Sequence, residues 1–453
     1  MFTTFVEVWA TPLLFFSMAF TFMLMCLPTR HHPSNNEKKR VVVLVLGDIG
    51  RSPRMQHHCL SLAKKGAIVD LVGYEESLPR PELLGNTNIH RYPLPVPPKL
   101  FNTSTPLTFV IFAPFKAFFQ FTSLLYCLLY VIPPSAGYIL LQNPPAIPTL
   151  IVTQFVSKLR MQKVVIDWHN FGWSILMMKL NEHPIVWFCK FYEKVFGRAA
   201  YANFTVTNAM AKVLKDDMGI KAPIRTLYDR PPMHFVPLDA AAKKEFLESH
   251  PATKRHAAAI LSGKTKMITS STSWTPDEDF SQLLAALLSY DSYASGANFL
   301  KPGSAPSILA VITGKGPLKD GYMATIEKLE FQFITVETVW LESEDYPKMI
   351  ACADLGISLH TSTSGVDLPM KIVDLFGVGV PVAAFGFYAL RELVKHRENG
   401  IVFKDGQDLG ENLKTLFNPS SRELERLKMG AMKETHDRWD ENWDNIAAPV
   451  FGL

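Results

Sequence analysis

Short continuous apolar runs alternate along this chain with segments whose apolar residues recur at helical spacing. The first run, 41–46, is rich in valine and ends at Gly47, which is typical of a strand buried in a parallel sheet. A helix is predicted next, with Ser52 as its N-cap and Gly66 at its end, and a second strand follows over 67–73. These segments predict one βαβ unit.

The same alternation continues through both halves of the chain. Further strands are predicted at 138–141, 164–166 and 204–206, and then at 267–269, 308–313, 333–336, 355–359 and 381–384. Helical stretches separate most of these strands, so the pattern indicates an α/β fold with two Rossmann-like domains, over 40–235 and 236–430. The last segment, 431–453, has Trp439 and Trp443 at helical spacing, which predicts a closing helix that packs by an aromatic face.

Two polar stretches fall between the predicted elements. Residues 239–262 are rich in Ala, Lys and His, and residues 289–307 are rich in Ser, Ala, Gly and Pro. Both compositions are typical of surface insertions or of a linker between domains.

The N-terminal segment 1–27 is almost wholly apolar, Glu7 is its only charged residue, and its length suits a transmembrane anchor. No basic residue precedes it and no small-residue cleavage pattern follows it, so retention is favoured over cleavage as a signal peptide. The linker after it, 28–39, carries basic residues, which by the positive-inside rule places the body of the chain in the cytosol. The sequons at Asn102 and Asn203 should then carry no glycan.

A second apolar stretch, 107–132, contains six phenylalanines and one charged residue, Lys116. Its length would suffice to cross a membrane. A crossing would, however, place the strands at 41–46 and 164–166 on opposite sides of the bilayer and split one sheet. A hairpin or helix that lies in the membrane interface is therefore favoured, with a buried core helix as the alternative.

The composition narrows the class of protein. Apolar residues make up 48% and charged residues 19% of the chain, a balance that is shifted toward apolar for a soluble enzyme and agrees with contact with lipid. The net charge of +4 is small for this length and no basic stripe with interleaved aromatics is present, so nucleic acid is not expected as a partner. The five cysteines are scattered without C-x-x-C spacing, which argues against a disulfide framework or a zinc site.

Polar residues follow two predicted strands of the first half. The loop Gly47-Asp48-Ile49-Gly50-Arg51 leads into a helix N-terminus, where backbone N–H groups attract anions, and Arg51 and Arg54 add positive charge. A tight turn with two solvated arginines is the alternative.

Asp167-Trp168-His169-Asn170 lies at the carboxyl end of another strand, where open α/β folds bind ligands. His169 can act there as a general base, or it can form a structural hydrogen-bonded pair with its aspartate.

In the second half, His360-Thr361-Ser362-Thr363-Ser364-Gly365 follows a strand and precedes a helix, so its hydroxyls and amides predict a phosphate cradle. Lys371 lies one turn into that helix, where it binds a diphosphate or pairs with Asp367 and Asp374. The loop Gly314-Lys315-Gly316 follows another strand and is a similar but weaker signal.

The triplet Asp277-Glu278-Asp279 resembles the D-x-D pattern that holds a divalent metal in another class of sugar transferase. Thr275, Pro276 and Glu278 have the spacing of an N-cap, a first helical position and a capping-box partner, so a helix start is favoured. No other cluster of carboxylates or histidines has metal-ligand spacing, and no metal requirement is predicted.

Taken in order, these motifs resemble the chitobiosyldiphosphodolichol beta-mannosyltransferase family of GT-B glycosyltransferases. The resemblance rests on the segments 47–54, 167–170, 228–232, 270–275 and 360–382. It implies two Rossmann-like domains that face a cleft, an endoplasmic-reticulum anchor, GDP-mannose as donor and dolichyl-diphosphate chitobiose as acceptor. It also implies inversion at the sugar to give a β-1,4-linked mannose. No cofactor is predicted. Other mannosyltransferases of the pathway are partners by analogy alone.

Carried over residue by residue, the resemblance implies that Ser364, Gly365 and Lys371 hold the donor diphosphate and that Asp374 reaches the nucleotide ribose. Asp367 lies one residue closer to Asp374 than in the usual acidic pair of related enzymes, which leaves its contact with the sugar open. Ser271 and Thr272 are provisional donor contacts, because the stretch they begin lacks the Arg and Lys of retaining relatives.

On the acceptor side, His169 is the first candidate for the catalytic base and Asp48 is the second. Arg51 and Arg54 are assigned to the acceptor diphosphate, with Gly50 in the same loop. Two alternatives remain, a transferase that uses another nucleotide sugar and a catalytically silent membrane scaffold. A nicotinamide dehydrogenase is disfavoured, because the G-x-G-x-x-G loop is missing.

Overall fold

The computed structural model describes residues 2–26, 39–101 and 105–453. The chain forms two compact units, of which the first comprises Met1–Phe204, Met218–Ile224 and Phe451–Leu453 and the second comprises Thr205–Asp217 and Arg225–Val450. The change of unit at Arg225 comes before the domain boundary predicted after residue 235. Residues 28–38 of the predicted linker and the sequon at Asn102 lie outside the described residues.

The first sheet has seven strands in the order β3-β2-β1-β4-β5-β6-β7. Its strands are β1 Arg40–Asp48, β2 Ile68–Tyr74, β3 Ile89–Pro93, β4 Tyr138–Asn143, β5 Lys163–Trp168, β6 Ala202–Thr205 and β7 Ile224–Thr226. The pairs from β3 to β5 are all parallel, and β1 lies between β2 and β4. The strand order therefore reverses at β1, where open α/β sheets bind ligands beyond the carboxyl ends of their strands.

In the described part of the chain that accompanies this sheet, the helices are α1 Phe2–Cys26, α2 Pro53–Lys64, α3 Pro81–Leu84, α4 Pro106–Tyr126, α5 Thr149–Arg160, α6 Gly172–Leu180 and α7 Pro184–Gly197. Helix α2 is the helix predicted after β1, and its buried face contains Met55, Cys59 and Leu62, which are fully buried. Ser52 occupies the N-cap position, but its side chain makes no capping hydrogen bond and donates instead to the Asp48 carbonyl at 3.0 Å. The predicted N-cap position is therefore confirmed, although the Ser52 side chain does not itself cap the helix.

Two apolar helices belong to this unit. Helix α1 covers most of the predicted anchor, and its described side chains are exposed. Helix α4 is a single helix rather than a hairpin, and a π-helical turn continues it to Val131. Residues Thr108–Val131 are long and apolar enough to cross a membrane, and few of them are fully buried. Because β1 precedes α4 and pairs with β4 after it, a crossing would separate hydrogen-bonded strands.

The second unit contains a parallel sheet of six strands in the order β10-β9-β8-β11-β12-β13. Its strands are β8 Thr265–Ser271, β9 Ser307–Thr313, β10 Ile334–Val339, β11 Leu355–Ser358, β12 Val382–Phe385 and β13 Gly400–Phe403. Its helices are α8 Asn208–Asp216, α9 Ala240–Ser249, α10 Ala257–Leu261, α11 Phe280–Leu300, α12 Lys319–Ile326, α13 Asp345–Ala351, α14 Met370–Gly377, α15 Gly406–Leu416, α16 Glu423–Glu434 and α17 Trp439–Ile446, and α18 Ala448–Phe451 follows.

The two stretches predicted as insertions or linkers are largely helical. Residues 239–262 contain α9 and α10, and residues 289–300 form the second half of α11. Tyr290 and Ala294 are fully buried on α11, so packing against the core holds a segment whose composition favours a loop.

The C-terminal segment packs as its aromatic pattern predicted. Trp443 is fully buried and Trp439 is nearly so. Three helices, α16 to α18, cover this region in place of one closing helix, because turns at 435–438 and at Ala447 interrupt the run.

Candidate functional site

Asp167 is the centre of a buried polar cluster at the carboxyl end of β5. Its carboxylate accepts hydrogen bonds from Nε and Nη2 of Arg54, each at 2.8 Å, and lies 3.1 Å from His58 Nε2 and 2.9 Å from His169 Nε2. Arg54, His58 and Asp167 are buried, whereas the His169 side chain is 23% exposed. Of the four groups, His169 is the one that a substrate can reach.

The charge of Asp167 determines which nitrogen of His169 is basic. Burial raises the pKa of Asp167, but the positive charge of Arg54 and the contact with His169 outweigh burial and hold that pKa well below its usual range. An ionised carboxylate only accepts hydrogen bonds. Neutral His169 therefore donates its Nε2–H to Asp167, and its Nδ1 is the nitrogen that takes up a proton. A base oriented by a carboxylate suits proton abstraction from a hydroxyl.

Arg54 and His58 reach Asp167 from one face of α2. Arg54 was assigned to the acceptor diphosphate, but its burial and its double hydrogen bond to Asp167 do not fit that contact. Burial lowers the pKa of His58, which keeps its imidazole neutral. The role of His58 was missed, although its i, i+4 spacing from Arg54 places both residues on the same helix face.

Asp48, the second candidate base, is fixed in a turn. Its Oδ1 accepts hydrogen bonds from Gly50 N at 3.2 Å and Ser77 N at 3.1 Å, and its Oδ2 accepts one from the Ser77 hydroxyl. Burial raises the pKa of Asp48, but these hydrogen bonds outweigh it and lower that pKa overall. A carboxylate so held is a weaker base than a free carboxylate.

The neighbouring residues of this loop have different surroundings. A Cβ on Gly50 would lie 2.5 Å from the Ser77 carbonyl oxygen, so the backbones approach as only glycine permits. The Arg51 side chain is 83% exposed, and its Nε lies 3.5 Å from Asp48 Oδ2. The Arg51 side chain is therefore accessible to a ligand, while Gly50 allows the backbone to pass close to Ser77.

A second buried acid supports the segment after His169. Glu193, on α7, accepts a hydrogen bond from Gly172 N at 2.8 Å at the start of α6. Burial raises the pKa of Glu193 to about 8. No sequence pattern pointed to this residue, because an acid on an amphipathic helix normally faces water.

In the second unit, Glu278 connects three of the predicted segments. Its Oε2 accepts hydrogen bonds from the Thr272 hydroxyl at 2.8 Å and from Ser273 N at 2.6 Å, and Lys371 Nζ donates to its Oε1. An antiparallel bridge also joins Glu278 to His360. The acid thus holds the end of β8, the loop after β11 and the start of α14 together.

Lys371 was expected to bind a diphosphate or to pair with Asp367 or Asp374. Its observed partner is Glu278, because α14 begins at Met370 and Asp367 precedes the helix, outside i, i+4 geometry. Asp374 Oδ2 lies 3.4 Å from the Tyr346 hydroxyl, which is 3.1 Å from Ser271 Oγ. Ser271 and Asp374 are therefore brought together through a tyrosine that the sequence did not reveal.

The triplet Asp277-Glu278-Asp279 starts a helix, but not with the predicted cap. Asp279 is the N-cap of α11 and accepts a hydrogen bond from Ser281 N at 3.0 Å, whereas Thr275 lies ahead in a turn. Glu278 points to Lys371 rather than back to Thr275, so no capping box forms. Within the described residues, no group of three or more His, Cys, Asp or Glu side chains could hold a metal ion.

The predicted phosphate cradle forms a compact turn before α14. The Ser362 hydroxyl donates to Asp367 Oδ1, Ser364 Oγ lies 3.4 Å from the same oxygen, and His360 Nε2 lies 3.4 Å from Oδ2. Burial raises the pKa of Asp367, but the contacts with His360 and Ser362 outweigh it and lower that pKa overall. Gly365 has a φ of 73°, which lets the chain turn here without strain.

The loop Gly314-Lys315-Gly316 packs against the end of β8. A Cβ on Gly314 would lie 1.7 Å from the Thr272 carbonyl oxygen, and one on Gly316 would lie 1.7 Å from that of Ser273. Lys315 Nζ lies 4.0 Å from the centre of the Trp340 ring. Glycine is therefore required at both positions, because the backbone passes close to Thr272 and Ser273. The Lys315 ammonium makes a cation–π contact with the Trp340 ring.

The segment Tyr228-Asp229-Arg230-Pro231-Pro232 makes structural contacts inside the second unit. The Tyr228 hydroxyl donates to Glu392 at 2.7 Å, and Glu392 also accepts hydrogen bonds from Asn208 N and Ala209 N at the start of α8, each at 2.7 Å. Pro231 packs on Gly377, where a Cβ would lie 2.5 Å from the proline. Glu392 therefore connects this motif, which precedes α9, to the start of α8.

Solved structures of known proteins share this architecture. Sucrose-phosphate synthase from Thermosynechococcus elongatus superposes with a TM-score of 0.63 at 12% identity, over 91% of this chain and 97% of that chain. Anabaena Alr3699/HepE in complex with UDP-glucose superposes with a TM-score of 0.63 at 15% identity, over 92% of this chain and 100% of that chain. At such low identity these similarities show the fold alone, and they confirm the expected GT-B fold.

Sequence comparisons are more specific. The Glycosyl transferases group 1 family model matches residues 300–418. Chitobiosyldiphosphodolichol beta-mannosyltransferase of Yarrowia lipolytica is 42% identical over 92% of this chain and 87% of its own length. The proteins of the same name from Mus musculus and Homo sapiens are each 41% identical over 91% of this chain, and over 89% and 92% of their own lengths. The chain therefore belongs to the chitobiosyldiphosphodolichol beta-mannosyltransferase family.

Proposed function

We propose that this chain is an inverting mannosyltransferase that moves mannose from GDP-mannose to dolichyl-diphosphate chitobiose with a β-1,4 linkage. The names of the relatives support the β-mannosyl transfer and the acceptor. The observation that carries the proposal is the half-buried His169, held by an ionised Asp167 at the carboxyl end of β5. That pair supplies the base that a transfer to a sugar hydroxyl needs.

Inversion requires one displacement at the anomeric carbon of mannose. Nδ1 of His169 takes the proton of the acceptor hydroxyl while the hydroxyl oxygen forms its bond to that carbon. The bond from the carbon to the donor diphosphate breaks, and its electron pair leaves with GDP. The negative charge of Asp167 stabilises the imidazolium that forms, as a carboxylate does in other oriented histidine bases.

The second unit contains groups that are suited to bind a diphosphate. Lys371 and the backbone amides at the start of α14 provide positive charge and hydrogen-bond donors. In the structure Lys371 pairs with Glu278, so the lysine side chain is already fixed at the end of β8. Asp374, next to Tyr346 and Ser271, is assigned to the nucleotide ribose.

We also propose that α1 anchors the chain in the endoplasmic-reticulum membrane and that both units lie in the cytosol. The basic residues that follow α1 support this orientation. Asn203 is fully buried on β6 and accepts a hydrogen bond from Trp168 Nε1 at 2.9 Å. This sequon therefore has no access to a glycan in the folded chain.

The test is transfer of radiolabelled mannose from GDP-mannose to phytanyl-diphosphate chitobiose, with a chelator in the buffer and the product digested by a β-mannosidase. We expect a β-linked product without added metal. Transfer from a different nucleotide sugar in preference to GDP-mannose would refute the donor assignment. GDP binding without transfer from any donor would indicate a scaffold instead of an enzyme.

A further inference from the structure

A groove of about 1040 Å³ opens in the first unit beside the carboxyl edge of its sheet. Residues of α4, α6 and α7 line it. Leu46 near the end of β1, Tyr74 at the end of β2 and Pro145 just after β4 also line it. The volume lies at the upper end of the range for ligand pockets.

The lining of this groove is mainly hydrocarbon. Ala113 and Ala117 of α4 face the same space as Leu176 of α6 and Phe188 of α7. Charged residues also line it: Glu76, Lys116 and Lys179. A groove with apolar walls and two lysines suits a ligand that joins a hydrocarbon chain to an anionic group.

The helices that form the groove also expose large apolar side chains. On α4, Phe115 is 61% and Phe118 is 69% exposed, and on α7, Trp187 is 70% and Phe191 is 52% exposed. Met178 of α6 is 54% exposed. The exposed pairs on α4 and α7 have i, i+3 and i, i+4 spacing, so each pair lies on one helix face, and such apolar faces mark contact with a membrane or another apolar partner. The groove therefore opens among side chains suited to the interface of a bilayer.

We propose that this groove holds the hydrocarbon chain of the lipid acceptor, which enters it from the bilayer against which α4 and α7 lie. The inference rests on the proposed function. An acceptor built on an isoprenoid diphosphate reacts at its sugar end, so its chain must lie elsewhere without contact with water. The groove meets this need because it begins at the sheet edge that also carries Asp48 and His169.

The inference predicts that the acceptor KM depends on chain length. Each isoprene unit that enters the groove removes apolar surface from water, so a phytanyl acceptor should bind more tightly than the shorter citronellyl acceptor. Because the hydrocarbon chain makes the same contacts in the ground state and in the transition state, this binding is uniform, and kcat should be the same for both acceptors.

The experiment compares the two acceptors with the full chain and with Ala117→Trp, which fills the groove. Ala199→Trp is the matched control, because Ala199 is exposed and does not line the groove. We expect Ala117→Trp to raise the phytanyl KM about tenfold or more, to remove the preference over citronellyl, and to leave kcat and the GDP-mannose KM unchanged. Ala113→Trp provides a second groove variant should the first one not fold.

A photoreactive phytanyl diphosphate separates the failure of this inference from the failure of the proposed function. Labelling of α4 and α7 peptides that is lost in the groove variants would support the inference even without transfer. Equal KM values for both acceptors in the wild type, or an unchanged preference in folded Ala117→Trp, would overturn it. Labelling that excess phosphatidylcholine suppresses as well as unlabelled phytanyl diphosphate would also overturn it, since membrane acyl chains would then be the occupant.

Discussion

At the scale of residues, His169 and Asp48 differ in what their proton-accepting atoms contact. Both Asp48 oxygens accept hydrogen bonds from Ser77 or Gly50, whereas Nδ1 of His169 stays available once Nε2 donates to Asp167. We expect His169→Ala to lower kcat by about 10²–10⁴-fold with little change in the GDP-mannose KM.

The matched variant is Asp48→Asn, which retains an oxygen for the hydrogen bonds from Gly50 N and Ser77 N. Its kcat should stay within a few-fold of the wild-type value in the same steady-state assay. A large loss in Asp48→Asn with near-normal turnover in His169→Ala would reverse the assignment of the base.

On the donor side, Lys371 is the residue whose contribution to catalysis can be tested by substitution. We expect Lys371→Ala to lower kcat by about 10²-fold, because it removes a positive charge from the departing diphosphate, and to weaken GDP binding. Lys315→Ala is the control, since Lys315 contacts the Trp340 ring instead of the Glu278 cluster. Equal effects of the two variants on kcat would argue against a specific role for Lys371.

Glu193 predicts a pH dependence of stability. Its pKa is raised by burial to about 8 in the folded chain, so the folded chain keeps a proton that the unfolded chain loses near the ordinary carboxyl pKa. The free energy of unfolding should therefore fall as pH rises from about 5 to about 8, by up to about 1.4 kcal/mol for each pH unit. Glu193→Gln keeps an acceptor for Gly172 N and should remove this slope, as measured by denaturant unfolding at several pH values. Parallel pH profiles for both proteins would contradict the raised pKa.

At the scale of elements, the start of α11 tests whether tertiary structure or local pattern selects the cap. Asp279→Ala should lower the free energy of unfolding by about 1 kcal/mol, because it removes the acceptor for Ser281 N. Thr275→Ala should have less effect, although the sequence pattern favoured Thr275. Thermal unfolding of both variants measures the difference, and a larger loss for Thr275→Ala would restore the predicted cap.

Most strands that are buried on both faces were predictable, but β13 was not predicted although it is largely buried. The runs at 41–46 and 308–313 are continuous and apolar because helices cover both sides of a parallel sheet. Strands β3 and β7 were missed because they are short, partly exposed and carry residues such as His90 and Arg225. Such strands are stabilised by hydrogen bonds to neighbouring strands, and these bonds cannot be predicted from the local sequence.

At the scale of the whole molecule, the proposed cytosolic orientation predicts unoccupied sequons. The chain expressed in a cell with N-glycosylation should keep its gel mobility after endoglycosidase treatment, because Asn203 is buried and the proposed orientation keeps the body of the chain out of the lumen. A lumenal glycoprotein in the same lysate is the control. A mobility shift of this chain would contradict the orientation.

The amino-acid sequence by itself determined the repeated strand–helix alternation, the two apolar helices and the segments where polar residues follow strands, because these depend on neighbours along the chain. Only the tertiary structure decided the partners of those polar residues. Arg54 meets Asp167 across 113 positions, and Lys371 meets Glu278 across 93. The physical reason is that a buried charge requires an opposite charge beside it. Folding supplies that partner from a different element of the fold.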